Sequence, residues 1–258
     1  MIREAKSKDK IPILKFCKNI FSWGDYIEHV WDFWLSEGNL FVFEKQFPVG
    51  ICHVFYFKNQ IWIEGIRIDP HFRRQKIASE LVKHAELLGK KKNASLSFML
   101  IDVQNTASLK MARSLNYDLF QTWNFYSLSP QKNNEHEIEF VKTIEPRLIH
   151  HYVKSWRWLP IDDVIISKFC ENKKIVKSIG YDGDSIAILT DSEHFDHTLI
   201  VTLFSGCDDS ISSIISFLQN HALEHNYEGI QILTKEKLPK IDLLEYKISF
   251  NLMKKSLI

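Results

Sequence analysis

IRIDPHFRRQKIASEL, residues 66–81, sets an alternating apolar strand against an Asp-Pro turn, an Arg-Arg pair and the start of a helix. A helix that opens directly from a strand leaves its first backbone N–H groups unpaired and carries the positive end of its dipole, so a basic junction of this kind suits a phosphate. A solvated basic turn is the other reading. The flanking elements decide which one the chain supports.

Upstream, KIPILKFCKNIF (10–21) and DYIEHVWDFWLSEG (25–38) place apolar residues at helical spacing, the second with Gly38 as a stop. NLFVFEK, VGICHVFYFK and QIWIEGIRID follow, rich in Phe, Val and Ile around short breaks, and predict an antiparallel meander that the opening stretch closes. Downstream, KIASELVKHAELLGKK carries Ile77, Leu81 and Leu88 on one helical face, and ASLSFMLID returns as a strand. NTASLKMARSLN is a further helix leading to the strand LFQTWNFYSLS. SPQKNNEHE, residues 129–137, has the composition of an exposed linker, which divides the chain into domains at 1–128 and 138–258. Beyond it the order recurs: strands DSIAILT and HTLIVTLFSG, a helix in DSISSIISFLQNHALEHN (209–226), a strand GIQILT, then a short helix and strand in LPKIDLLEYKISFNLMKK. A degenerate internal duplication accounts for the echo. The junction itself does not recur, because FSGCDDSISS is acidic and has no Arg.

Composition narrows the function classes. With 258 residues, 45% apolar and 25% charged, the chain reads as globular, and a formal charge of +1 gives no global field toward nucleic acid or an anionic membrane. No apolar run approaches the roughly 20 residues of a bilayer span. Four scattered cysteines without C-x-x-C spacing point to a reducing cytoplasm. His150 with His151, and His194 with His197, invite a metal reading, but no four-ligand set at zinc spacing appears and surface histidines account for them. HYVKSWRWLPIDD combines Trp with Arg and reads either as an RNA-binding stretch or as packing of the second half on the first.

The strand, the basic loop and the helix together resemble the GNAT superfamily of acetyl-CoA-dependent N-acetyltransferases, whose R/Q-x-x-G-x-G/A loop falls on Arg73, Arg74, Gln75, Lys76, Ile77 and Ala78. The family's second element, an asparagine opening a short helix, falls on Asn105, with Ser108 one turn on. The resemblance covers residues 1 to about 128. It implies an α/β (α+β) fold of two GNAT-like units, each a mixed, mostly antiparallel twisted sheet flanked by helices. Acetyl-CoA is then the co-substrate, with the backbone of Ile66, Arg67 and Ile68 pairing with the pantetheine arm. The N–H groups from Arg74 to Ser79 hold the pyrophosphate. Lys76 stands where the family has its first glycine: a helical φ there keeps the loop serviceable, whereas a positive φ is costly for a side chain.

Acetyl transfer to an amine needs a base, an oxyanion stabiliser and a proton for the leaving thiolate. Glu64 is the candidate base, sharing a face with Ile66 and Ile68 by the period of two; its other reading is a sheet-edge carboxylate paired with Arg67. Gly65 beside it suits a bulge. The family's acidic tyrosine falls at Ala112, and Tyr117 and Tyr126 are near only in sequence. Asp25 and Tyr26, within a cluster that also holds Trp23, Trp31 and Trp34, suit a cationic or aromatic acceptor. The function implied is acetyl transfer to a small-molecule amine or amino acid, loosely in the manner of the histidine N-acetyltransferase branch. Transfer to a protein N-terminus or lysine, and a non-catalytic acyl-CoA-binding pseudoenzyme, are the alternatives. Neither nucleic acid nor membrane is expected as a partner.

Overall fold

A computed structural model describes residues 1–18, 25–133, 137–143 and 150–258 and divides them into two compact units, Met1–Gln121 with Asn251–Ile258, and Thr122–Phe250. The division lies a few residues before the expected linker, part of which is outside the described residues, and it returns the last eight residues of the chain to the first unit. Those residues belong there because Met253 and Leu257 are fully or almost fully buried in its core and Leu257 N donates to Ser95 O at 2.8 Å.

In the first unit the chain runs β1 (Ile2–Glu4), α1 (Lys10–Cys17), α2 (Ile27–Glu37), β2 (Leu40–Glu44), β3 (Pro48–Phe57), β4 (Gln60–Ile68), α3 (Ile77–Lys91), β5 (Leu96–Asp102), α4 (Thr106–Ser114) and the start of β6 (Asp118–Leu128). The last residues of the helix expected over 10–21 lie outside the described residues. β1 to β4 pair antiparallel in order, and β5 joins β4 in parallel through the α3 crossover. The helices sort by the alternation of the strands. α1 and α2 bury Ile13, Ile27, Val30 and Trp34 against Leu40, Val42 and Ile51, and α3 and α4 bury Ile77, Leu81, Ala85 and Leu109 against Phe41, Val49, Ile61 and Ile63. α2 stops where expected, at Gly38, whose φ of 84° is disfavoured for any other residue.

The meander contains one irregularity, and it falls in β4. Ile51 opposes Arg67 while His53 opposes Glu64, so Cys52 faces two residues, Gly65 and Ile66, and Gly65 takes φ 64°. This β-bulge resets the alternation. Ile61, Ile63, Ile66 and Ile68 all lie against the α3 face, whereas Arg67 bonds to Asp25 just ahead of α2 and Glu64 bonds to His53, which stacks on Trp34. Glu64 therefore does not share a face with Ile66 and Ile68. The period of two fails there because a bulge adds one residue between them.

The second unit continues from β6 through β7 (Glu139–Phe140), β8 (His151–Lys154), β9 (Arg157–Pro160), α5 (Asp163–Glu171), β10 (Ile175–Ser178), β11 (Ser185–Asp191), β12 (Thr198–Phe204), α6 (Asp208–Glu224), β13 (Gly229–Thr234) and β14 (Leu244–Ser256). Its sheet runs β6-β13-β12-β11-β10-β7, with only β12 and β13 parallel. α6 covers one face through Ile211, Ile214, Ile215 and Leu218. HYVKSWRWLPIDD forms the β8–β9 hairpin and the Asp162 cap of α5, and the hairpin docks on the other face of the same unit: Val153 N donates to Thr202 Oγ1 at 2.8 Å and Thr190 Oγ1 donates to Val153 O at 2.8 Å. The helix expected after residue 238 is absent. Pro239 cannot donate within it and Leu243 takes φ 59°, so the stretch closes in one turn, Leu244 N to Ile241 O, and β14 follows.

A side chain at Gly65 meets two penalties: a Cβ there lies 2.5 Å from Trp34 Cη2, and the backbone is left-handed. Gly65→Ala is expected to destabilise the first unit by about 3 kcal/mol in urea unfolding, the sum of overpacking and the αL cost.

Candidate functional site

The parallel ladder between β4 and β5 covers only Gln60–Trp62 against Leu96–Phe98. The bulge follows three residues later, so the bulged half of β4, Ile66 to Ile68, lies beyond the ladder and leads straight into the basic junction. A bulge bends and over-twists its strand, which turns this half of β4 away from its parallel neighbour. The opening between the two strands is therefore built by one extra residue.

At the end of β4 the chain makes the turn at Asp69, whose Oδ1 accepts from His71 N at 3.0 Å, and then passes Arg74 and Lys76 at φ 64° and 61° before entering α3. Lys76 is the N-cap of α3 and makes no capping hydrogen bond; the first helical bond is Glu80 N to Lys76 O, at 3.0 Å. The N–H groups of Ile77, Ala78 and Ser79 thus belong to an uncapped helical turn. Lys76 has the left-handed backbone rather than a helical one, which is the conformation the family's glycine suits and which a lysine adopts at a cost of about 1–2 kcal/mol. Lys45 Nζ donates to Gln75 Oε1 at 2.6 Å and lies over the Phe72 ring, adding a cation to those of Arg73, Arg74 and Lys76. The Ile66 carbonyl accepts from Arg67 Nη1 at 3.1 Å, and the Ile68 carbonyl from Arg73 Nε at 3.4 Å. Asn105 caps α4, its Oδ1 accepting from Ser108 N at 3.1 Å.

The α6 start in the second unit likewise has no side-chain cap at its N-cap, Cys207, but a loop packs over it. Cys207 N donates to Gly183 O at 3.2 Å, Gly206 N to Ser185 Oγ at 2.9 Å, and Ser210 Oγ to Gly183 O at 2.9 Å, so the GYDGDS segment seals that helix end.

Glu64 is 11% exposed and both its oxygens are engaged. Oε1 lies 2.9 Å from His53 Nδ1, and Oε2 accepts from Trp62 Nε1 at 3.0 Å. His53 is fully buried, stacked on Trp34 at 4.7 Å and 3°, with Nε2 3.0 Å from the Gly38 carbonyl and 3.3 Å from Glu37 Oε2. A carbonyl cannot donate, so Nε2 carries a hydrogen. Arg67 gives Nε and Nη2 to the two oxygens of Asp25, at 2.6 and 3.0 Å, under the Tyr26 ring. Both Asp25 oxygens are bonded, so the buried carboxylate balances Arg67, while Tyr26 keeps 37% of its surface exposed. Trp23 lies outside the described residues.

Neither tyrosine near the Ala112 position stands as a proton donor. Tyr117 is buried, its hydroxyl 2.5 Å from Ser97 Oγ, and burial pushes its pKa well above the usual phenol range. Tyr126 belongs to the second unit, where its oxygen accepts from Leu238 N. His53, Trp62 and Glu37 were not marked by the sequence reading. Only the polar His within the apolar run GICHVFYF is a signal of them, since a buried imidazole needs partners on both nitrogens.

Residues 9–117 match the model of the acetyltransferase (GNAT) family. The match lies within the first unit and spans under half of the chain. No curated protein sequence matches the chain. Among solved structures, a protein of Thermoplasma acidophilum classed as an acetyltransferase aligns over 99% of this chain and 99% of its own, with a TM-score of 0.67 and 12% identity. A GCN5-related N-acetyltransferase from Sphaerobacter thermophilus aligns over 100% and 95%, at 0.64 and 10%. A tandem GNAT protein from the clavulanic acid biosynthesis pathway aligns over 100% and 98%, at 0.56 and 8%. At these identities the likeness is one of fold, a mixed α/β architecture with mostly antiparallel sheets flanked by helices. Among the described residues no helix is long and apolar enough to cross a membrane.

Two substitutions test the geometry. Asp25→Ala leaves a buried guanidinium without its bidentate partner and is expected to cost about 3–5 kcal/mol in denaturant unfolding. Lys76→Gly relieves the left-handed backbone and is expected to stabilise by about 1 kcal/mol, read the same way.

Proposed function

We propose that the first unit transfers an acetyl group from acetyl-CoA to an amine. The observation that carries this reading is the opening between β4 and β5 with an uncapped helical turn at its end and an oriented carboxylate, Glu64, on β4 beside it. The α3 start fits a pyrophosphate: Arg74 to Ser79 supply backbone donors, two of the residues are left-handed, and Arg73, Arg74, Lys76 and Lys45 add positive charge without a rigid side-chain requirement. Ile66, Arg67 and Ile68 offer a strand edge to an extended arm, with the Arg67 and Arg73 side chains displaced from the two carbonyls as it binds. Asn105 and Ser108, at the start of α4, border the same end of β5. The sealed α6 start supports a second unit, descended from a duplication, that binds no such anion.

Acetyl-CoA supplies the reactive thioester. Glu64 takes a proton from the acceptor ammonium, which frees the nitrogen lone pair to form the C–N bond as the C–S bond breaks. Trp62 and His53 hold the carboxylate for that transfer. No side-chain acid is required, because a thiol pKa of about 8.5 lets the thiolate leave and then take up, through water, the second proton that the newly acylated nitrogen releases. Tyr26, over Arg67, borders the acceptor end, where its exposed ring suits a small amine or amino acid.

Acetyl-CoA is expected to raise the melting temperature of the native chain, as any ligand specific to the folded state must. Glu64→Gln should then lower turnover about 100-fold with unchanged acetyl-CoA affinity, measured as free-thiol release over a panel of amines. A shift without turnover by the wild type favours the acyl-CoA-binding reading, to which the Ala112 position points. No shift at saturating ligand overturns both.

A further inference from the structure

The second unit carries a side-chain cluster unrelated to acyl transfer, in the last turn of α6. His221 and His225 stand one helical turn apart in HALEH, with Glu224 between them, and one ligand atom from each of the three lies within 4.8 Å of the others. His225 Nδ1 lies 2.9 Å from the His221 carbonyl. Since a carbonyl only accepts, the ring hydrogen is on Nδ1 and Nε2 keeps its lone pair. A backbone carbonyl holding the far nitrogen is how metal-bound histidines are oriented. The His221 ring is fixed as well, 5.3 Å from Phe217 at 27° and 6.3 Å from Tyr227 at 29°, with its centroid 4.0 Å from that of His225.

The geometry assigns to His221, Glu224 and His225 a binding site for a late first-row divalent cation, Zn²⁺ in particular. Two imidazoles and one carboxylate suit Zn²⁺, Cu²⁺ or Ni²⁺, whereas Ca²⁺ and Mg²⁺ call for oxygen-rich shells. A bound ion would draw the three ligand atoms, now within 4.8 Å of one another, to about 2 Å from a common point, with water completing the coordination. Ligands at i and i+4 clip the final turn, so binding stabilises the helix end that precedes β13. The other grouping of this kind among the described residues, Glu37, His53 and Glu64, belongs to the acyl-transfer site, where the imidazole stands between the two carboxylates.

The test uses the full chain freed of metal and titrated with Zn²⁺ against a chromogenic chelator. The wild type should take up one Zn²⁺ at this site, unaffected by millimolar Ca²⁺ or Mg²⁺. His225→Ala, at an exposed position where misfolding is not at issue, should weaken that binding at least tenfold, and Glu224→Gln several-fold. The melting temperature of the wild type should rise with Zn²⁺ and that of His225→Ala should not. Failure of the wild type to bind, or wild-type binding retained by His225→Ala and by a His221→Ala/His225→Ala double variant, overturns the assignment.

Discussion

One extra residue in β4 organises the first unit. Without the bulge at Gly65, β4 would continue alongside β5 and Glu64 would turn toward the α3 core with Ile66 and Ile68. With it, the four isoleucines keep their place in the core while Glu64 and Arg67 both face the α1/α2 side. The bulge also requires a residue without a side chain, because Trp34 packs directly against Gly65. Packing of one tryptophan, the conformation of one glycine and the placement of one carboxylate are thus a single constraint.

The polar groups inside that constraint are paired. Arg67 and Asp25 neutralise each other; His53 stands between Glu37 and Glu64. Buried ionisable groups are tolerated only in such company. An imidazole and an indole N–H are among the partners that hold the Glu64 carboxylate in place.

Much of this was legible in the residues. The helix periodicities, the Phe- and Val-rich meander, Gly38 as a stop and the basic strand-to-helix junction each correspond to an element where they were expected, because each rests on local spacing and turn chemistry. Gly65 as a bulge was legible too, but its effect on the phase of the strand was not carried through, which is why Glu64 was set on the wrong face. What escaped depends on contacts distant in sequence: His53 across from Glu64, Asp25 on Arg67 over 42 positions, and the return of residues 251–258 to the first unit. The two-stranded hairpin β8–β9 escaped for another reason, since four-residue strands around a tight turn give too short an alternation to read.

The two helix starts, both without a side-chain cap, one ringed by cations and the other covered by its own loop, form the sharpest contrast in the molecule, and the functional reading rests on it. Backbone amide NMR of the full chain during titration with coenzyme A addresses it residue by residue. The account predicts shift changes concentrated at Ile66 to Ser79, with Gly206 to Ser210 unmoved. Changes centred on the α6 start, or none at the α3 start at saturating ligand, would contradict it.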